Sequence, residues 1–350
     1  MIDLPARPEA KELIRTVGLT KHFRLGGFLS RRYLHAVDDL DLTLREDEIV
    51  ALVGESGSGK STIARLIAMI HRPTDGEILH RGRRLSTIRS RRDLPAYRGR
   101  VPMVFQDPYD SLSPVYRVSH GIMRALKLHR RDLSRRGRED EAERLLDAVG
   151  LVPAGDFLGK YPYQLSGGQR QRVGFAQALA CRPELILADE PVSMLDVSVR
   201  IGVLNLMASL RRRERISFLY ITHDIASARY VADRMVVMYA GQVAESGPVE
   251  DVLAHPKHPY TQLLLSAVPD PRAPIRVPAT ADVQEPPRVI DPGDGCRFRA
   301  RCPVAVAECS RVTPRLRVLR ARHEAACHVA TSDLAPTTAD RRTDKDATVR

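Results

Sequence analysis

Between Leu13 and Val53 apolar residues recur at strand-like intervals (Val37, Leu40, Leu42, Leu44, then IVALVG), the pattern of half-buried strands. The run IVALVG enters a glycine-rich loop, and STIARLIAMI follows with apolar residues at helical spacing, predicting strand, loop and helix. Turn signals and short strand candidates fill residues 73–103, and residues 111–160 read mostly as helix, with REDEAERLLDAVGL amphipathic. A helix over 170–180 leads into the buried-type strand ELILAD, and a helix over 197–212 into ISFLYITH. ASARYVAD then precedes MVVMYA. Strands alternating with helices predict an α/β fold with a mostly parallel sheet covered on both faces.

This pattern divides the chain into a leader at 1–11, a main domain at 12–247, an extension at 248–330 and a polar tail at 331–350 expected to be disordered. The extension opens with proline-rich stretches (HPKHPY, VPDPRAPIRVP, QEPPRVIDPGDG) that read as a connector, followed by a small cysteine-bearing unit at 291–330. A length of 350 residues, 43% hydrophobic, suits one large α/β domain plus an appendage. The net charge of +12 is nearly all arginine and is scattered without a long basic run, so an Arg-rich surface is expected and no nucleic-acid partner. No stretch approaches the ~20 apolar residues that span a bilayer. The N-terminus has early acids and no apolar core of a signal peptide, so a cytosolic chain is expected, reaching a membrane only through other subunits.

Candidate chemistry begins at Gly54-Glu55-Ser56-Gly57-Ser58-Gly59-Lys60-Ser61, followed by Thr62, which fits G-x4-G-K-[ST] between a strand and a helix. Glycines let backbone N–H groups turn inward onto phosphate oxygens, and the helix N-terminus adds its positive dipole end. Lys60 is placed to reach the β- and γ-phosphates and the Ser61 hydroxyl to ligate Mg²⁺, so a nucleoside triphosphate with Mg²⁺ is the expected ligand, and the loop alone leaves open which one. Asp189 ends an apolar strand, where its carboxylate suits Mg²⁺, and the adjacent Glu190 is placed to orient an attacking water.

Further motifs follow in order: Val104-Phe105-Gln106, Leu165-Ser166-Gly167-Gly168-Gln169, Asp189-Glu190-Pro191, Ser193-Met194-Leu195-Asp196 and Ile221-Thr222-His223-Asp224. With the phosphate loop, this set over residues 13–245 resembles the ABC-type ATPases. The resemblance implies a RecA-like core, an antiparallel β subdomain and a helical signature subdomain. It implies that His223 contacts the γ-phosphate, that Gln106 senses Mg²⁺ and the γ-phosphate and couples to a membrane partner, and that Asp196 belongs to the D-loop. Ser166, Gly167, Gly168 and Gln169 would serve the ATP of an opposite subunit, so each chain would carry two half-sites. Phe23 or Tyr33 would stack on adenine. Met194 and Gln177 depart from the family pattern without removing a catalytic group.

The stretches Phe105–Pro114, Asp189–Ser198 and His255–Pro269 are similar to the oligopeptide/dipeptide importers, more to the second of their two ATPase subunits. That implies a heterodimer with a second ATPase, two membrane permeases and an extracytoplasmic solute-binding protein, with this chain at the cytoplasmic face of the membrane. Nickel or another small solute is the alternative cargo. A non-transport ATPase acting on nucleic acid or ribosomes would usually carry a coiled coil or a second cassette, and neither is present. Cys296, Cys302, Cys309 and Cys327 lack the close C-x2-4-C pair usual for zinc. Four widely spaced thiols, with Pro303 after Cys302, fit an iron–sulfur cluster better, and the resemblance implies a [4Fe-4S] site; zinc and reduced structural thiols are the alternatives. His323 and His328 read as basic surface residues and Cys181 as a small core residue.

Overall fold

The computed structural model describes residues 10–26, 31–88, 93–107, 112–267 and 289–331. Most of the expected leader, most of the Pro-rich connector, part of the Phe105–Pro114 stretch and nearly all of the polar tail lie outside the described residues.

Two sheets organise the chain. The first is antiparallel, in the order β2-β1-β4-β5, from β1 (Glu12–Leu25), β2 (Arg32–Arg45), β4 (Asp75–His80) and β5 (Arg83–Arg84). The second has eight strands in the order β11-β12-β10-β9-β3-β8-β7-β6. Its parallel part contains β3 (Ile49–Val53), β6 (Met103–Val104), β7 (Leu185–Asp189), β8 (Ser217–Thr222) and β9 (Arg234–Tyr239). The strands β10 (Gln242–Pro248), β11 (Arg317–Arg320) and β12 (His323–Ala325) add to it antiparallel.

The continuous apolar runs reflect burial on both faces, as expected for parallel strands. In β3, Ile49, Ala51 and Val53 face one core while Val50 and Leu52 face the other. In β8, Phe218 and Tyr220 oppose Leu219 and Ile221 in the same way. One core joins the sheet to the antiparallel sheet through helix α1 (Lys60–Ile67), whose Ile63, Ala64, Leu66 and Ile67 are buried between them. That core also takes Tyr97 from α2 (Asp93–Arg100). The other core collects α3 (Val118–His129), α4 (Arg135–Ala148), the single turn α5 (Gly155–Leu158), α6 (Gly167–Leu179), α7 (Val197–Glu214) and α8 (Ile225–Val231).

The helix expected over 170–180 begins at Gly167, because Ser166 and Gln169 close a capping box there. Ser166 Oγ accepts from Gln169 N, and Gln169 Oε1 accepts from Ser166 N.

The expected small cysteine unit is stitched into the main sheet. Its strands β11 and β12 join through β10 (Glu245 with Ala325, Ser246 with Glu324), covering a strand edge that would otherwise be open. Helices α9 (Val249–Ala254) and α10 (Pro259–Ser266) lead out of β10. His323 corrects its sequence reading: it is fully buried, with Nε2 2.6 Å from Oε1 of the equally buried Glu245.

Candidate functional site

Register in the parallel sheet decides where the chemistry meets. Val53 pairs with Thr222, Asp189 with Ile221 and Ala188 with Val104, so four strands end at one edge. The residues that follow them, Gly54, Glu190, His223 and Gln106, therefore emerge together. A crevice at the carboxyl ends of parallel strands is where open α/β sheets bind ligands.

The loop Gly54–Gly59 is drawn tight against its surroundings. Gly59 has φ 101°, and a Cβ there would lie 2.2 Å from the Ala36 carbonyl oxygen; a Cβ on Gly54 would lie equally close to that of Met238. Only glycine fits either approach. Ser58 N donates to Glu55 O, and Gly241 N donates to Ser58 O, while Ser56 and Gly57 remain exposed. Lys60, the first residue of α1, is buried and crosses under the loop. Its ammonium donates to the carbonyls of Gly54 and Glu55, each at 2.8 Å, and reaches Ser58 Oγ at 3.4 Å. Burial lowers the Lys60 pKa, opposed by the nearby charges of Glu190, Asp189 and Glu55. Thr62 is half-buried in the first turn of α1.

Ser61 and Asp189, far apart in sequence, meet directly: Ser61 Oγ donates to Asp189 Oδ1 at 2.8 Å. The Asp189 carboxyl is pushed up by burial, partly opposed by that hydrogen bond and by the positive charges of Arg65 and Lys60. A hydroxyl and a carboxylate converging beside a phosphate loop are hard oxygen donors suited to Mg²⁺. A buried ammonium whose partners are the loop's own carbonyls and hydroxyl can turn to phosphate oxygens. The residues present therefore fit a magnesium–nucleotide.

Glu190 follows with φ 45°, its N–H donating to Ile221 O, and its Oε2 lies 3.1 Å from His223 Nδ1. The structure thus brings Lys60, Ser61, Asp189, Glu190 and His223 into one region. Gln106 is exposed and lines a cleft of about 150 Å³ with Gly167, Pro191 and Met194. A larger cleft of about 910 Å³, lined by Met69, Ile78, Leu85 and Leu94, touches none of these groups and does not mark the chemistry.

The signature residues sit at the start of α6, Ser166 exposed and Gly168 buried. Ser166 and Gln169 cap α6, and Gly168 packs so closely that a Cβ would lie 2.2 Å from Val199 Cγ1. Asp196 is exposed at the start of α7 with its carbonyl accepting from Arg200 N. Around it Met194, Val197 and Ile201 expose apolar side chains, 65%, 69% and 45% accessible.

Phe23 and Tyr33 lie one residue out of register on facing strands, Phe23 opposite Leu34 and Tyr33 opposite Arg24. Phe23 meets His71 edge-on and lies beneath the Lys21 ammonium. Tyr33 is held by its backbone to Asp291 of the extension.

The [4Fe-4S] expectation is corrected. Among the described residues, the one group of three or more His, Cys, Asp and Glu ligating atoms all lying within 4.8 Å of one another is His22, His35 and Asp38; Cys296, Cys302, Cys309 and Cys327 form no such set. All four are free thiols, and burial raises the pKa of Cys296 and Cys302. The described residues thus give no support for an iron–sulfur cluster or for zinc here. What holds this unit is packing and pairing: Phe298 is buried against Tyr239 and Tyr260, and β12 is hydrogen-bonded to β10. The His22, His35 and Asp38 group is equally an ion-pair cluster, since Arg297 also donates to Asp38. Cys181 is partly buried, its thiol pushed up to about 11 by desolvation.

Sequence reasoning missed Arg297, Arg301 and Tyr260. Arg301 forms a two-pronged ion pair with Glu55 of the phosphate loop at 2.9 and 3.0 Å, and the Tyr260 hydroxyl accepts from Glu55 N at 3.0 Å. No local signal separates these arginines from the many others in the chain.

The family profile described as ABC transporter matches residues 37–193, and that described as Oligopeptide/dipeptide transporter, C-terminal region, matches residues 244–309. The chain is 40% identical over 296 residues to the oligopeptide transport ATP-binding protein AppF of Bacillus subtilis (strain 168), covering 84% of this chain and 89% of that protein. It is 41% identical over 323 residues to a protein of Sinorhizobium fredii (strain NBRC 101917 / NGR234) named probable peptide ABC transporter ATP-binding protein y4tS, covering 91% and 90%. Among solved structures it is similar to the dimeric bacterial ABC transporter cassette MJ0796, with TM-score 0.61 and 29% identity over 68% of this chain and 99% of that one. The post-hydrolysis dimer of that cassette, bound to ADP and Pi, gives TM-score 0.61 at 28% identity, with the same coverage.

Proposed function

The chain belongs to the ABC transporter ATPases that carry the oligopeptide/dipeptide transporter C-terminal region, and from that membership we infer that it hydrolyses ATP to power import of di- and oligopeptides across the cell membrane. The observation that carries the ATPase chemistry is the meeting of Ser61 with Asp189 and of Glu190 with His223 beside the phosphate loop.

ATP is the substrate, held by backbone N–H groups of the phosphate loop and by Lys60 turning from loop carbonyls to phosphate oxygens. Ser61, Asp189 and Gln106 would hold Mg²⁺, which when bound offsets negative charge on the β- and γ-phosphates. Glu190 orients a water in line with the γ-phosphorus; the new P–O bond forms to that water as the bond to the ADP oxygen breaks, and the water's proton passes to the Glu190 carboxylate. His223 steadies Glu190 and faces the γ-phosphate. Phe23 on the antiparallel sheet stacks on adenine, with Tyr33 on the facing strand as the alternative.

The signature residues Ser166, Gly167, Gly168 and Gln169, of which Ser166 is exposed, complete the site of a facing subunit together with the D-loop around Asp196. The apolar rim of Met194, Val197 and Ile201 supports that interface. The partner in this reading is a second ATPase, with the pair docked on two permeases fed by an extracytoplasmic binding protein, at the cytoplasmic face of the membrane. No helix among the described residues is long and apolar enough to cross a membrane, so attachment runs through those permeases.

The test is a tagged Glu190→Gln chain expressed in its native host, with membranes solubilised in the presence of ATP and co-purifying proteins identified by mass spectrometry. Two polytopic permeases and a second ATPase are expected. Ribosomal or DNA-bound proteins without a membrane partner would overturn the import reading.

A further inference from the structure

Glu55 sets a carboxylate in the loop where a triphosphate binds, and its charge repels the ligand's. It is gripped at three points. Its carbonyl accepts from Lys60, its N–H donates to the Tyr260 hydroxyl, and its carboxylate receives both terminal nitrogens of Arg301. Two of these three partners come from the C-terminal region. The Arg301 and Glu55 side chains are 19% and 23% exposed, so the pair is largely shielded from water. The guanidinium is further fixed over the rings of Tyr239 and Phe298, and Tyr239, Tyr260 and Phe298 pack on one another with centroids 4.5 to 5.5 Å apart. Four residues earlier, Arg297 donates to Asp38 and to the carbonyl of Ala240, next to the Gly241 that bonds the loop at Ser58.

From this geometry we propose that Arg301 is a positioning residue for the nucleotide: it neutralises Glu55 and fixes the phosphate loop, so the C-terminal extension sets the affinity of the chain for ATP. The proposal rests on the ATP-binding reading of the loop. Without the guanidinium, an unpaired carboxylate remains beside the phosphates and the loop loses one of its anchors. If electrostatic neutralisation is the main effect, removing the carboxylate as well relieves the damage. If Arg301 merely docks the extension, removing the carboxylate relieves nothing, because the docking contact is still lost.

The experiment measures the Kd of the full chain for a fluorescent ATP analogue with Mg²⁺, in wild type, Arg301→Gln, Arg301→Lys, Glu55→Gln and the Glu55→Gln/Arg301→Gln double variant. Arg301→Gln is expected to raise Kd by about tenfold, the scale of one shielded charge pair. Arg301→Lys, which keeps the charge and loses the fork, is expected to recover part of that loss. The double variant decides: a Kd nearer wild type than Arg301→Gln supports neutralisation, and a Kd nearer Arg301→Gln overturns it. An unchanged Kd in Arg301→Gln also overturns it. Thermal melts of each variant exclude unfolding, and should Arg301→Gln not fold, the same comparison is made between Arg301→Met, which keeps the aliphatic stem and loses the charge, and Glu55→Gln/Arg301→Met. A wild-type chain that bound no nucleotide would instead remove the ATPase reading on which the proposal stands.

Discussion

Glu190 shows how a single residue is made ready for chemistry. Its φ of 45° is a left-handed backbone that costs a residue with a Cβ of the order of 1 kcal/mol, and its N–H bond to Ile221 helps hold it there. The side chain is consequently turned to His223 rather than along the strand. Glu190→Gln keeps the shape and the backbone while removing the base. It is expected to retain nucleotide binding and lower steady-state phosphate release by at least about 100-fold, measured with the permeases present. Residues such as Glu190, Lys60 and Ser61 are legible in sequence because their neighbours along the chain define their environment. Arg301 is not, because what distinguishes it from other arginines is Glu55, 246 positions away.

At the scale of elements, caps decide where helices begin. The S-x-x-Q of residues 166–169 is a capping box visible in the sequence, yet periodicity alone starts that helix at 170, since glycines carry no apolar signal. Helix α10 has a less obvious cap: His258 Nδ1 accepts from Tyr260 N. Burial pushes the His258 pKa down to about 4, although the Glu245 carboxylate pulls the other way. The unfolded chain protonates this imidazole near pH 6.5, whereas the folded chain resists until about pH 4. Its stability contribution is therefore complete above about pH 6.5 and is lost as pH falls toward 4, by up to about 3 kcal/mol. Melting temperature is expected to drop between pH 7 and pH 5, and to drop less in His258→Asn, whose amide oxygen caps without titrating.

For the whole molecule, the extension and the ATPase core form one continuous structure. Glu245 of β10 is fully buried and receives the N–H groups of Lys257 and His258 as well as His323 from β12. Removing His323 leaves that carboxylate short of a partner in the interior, so His323→Ala is expected to destabilise the chain by about 3 kcal/mol in urea unfolding. A change within 0.5 kcal/mol would mean that the extension contributes little to holding the sheet. The phosphate loop, the alternation of strands and helices from β3 to β9, the acid pair at the end of β7 and the family were legible in the sequence, because motifs and periodicity are short-range along the chain, whereas β10 to β12 and the helices α9 and α10 were not. Sequence reasoning misjudged the cysteines, whose spacing suggested an iron–sulfur cluster that the structure does not support, no three of their thiols lying within 4.8 Å of one another. Only the tertiary structure decided that β11 and β12 extend the main sheet, that His323 is buried and that Arg301 reaches the phosphate loop. Each is a contact between residues distant along the chain, set by sheet register and packing, and no local pattern encodes it.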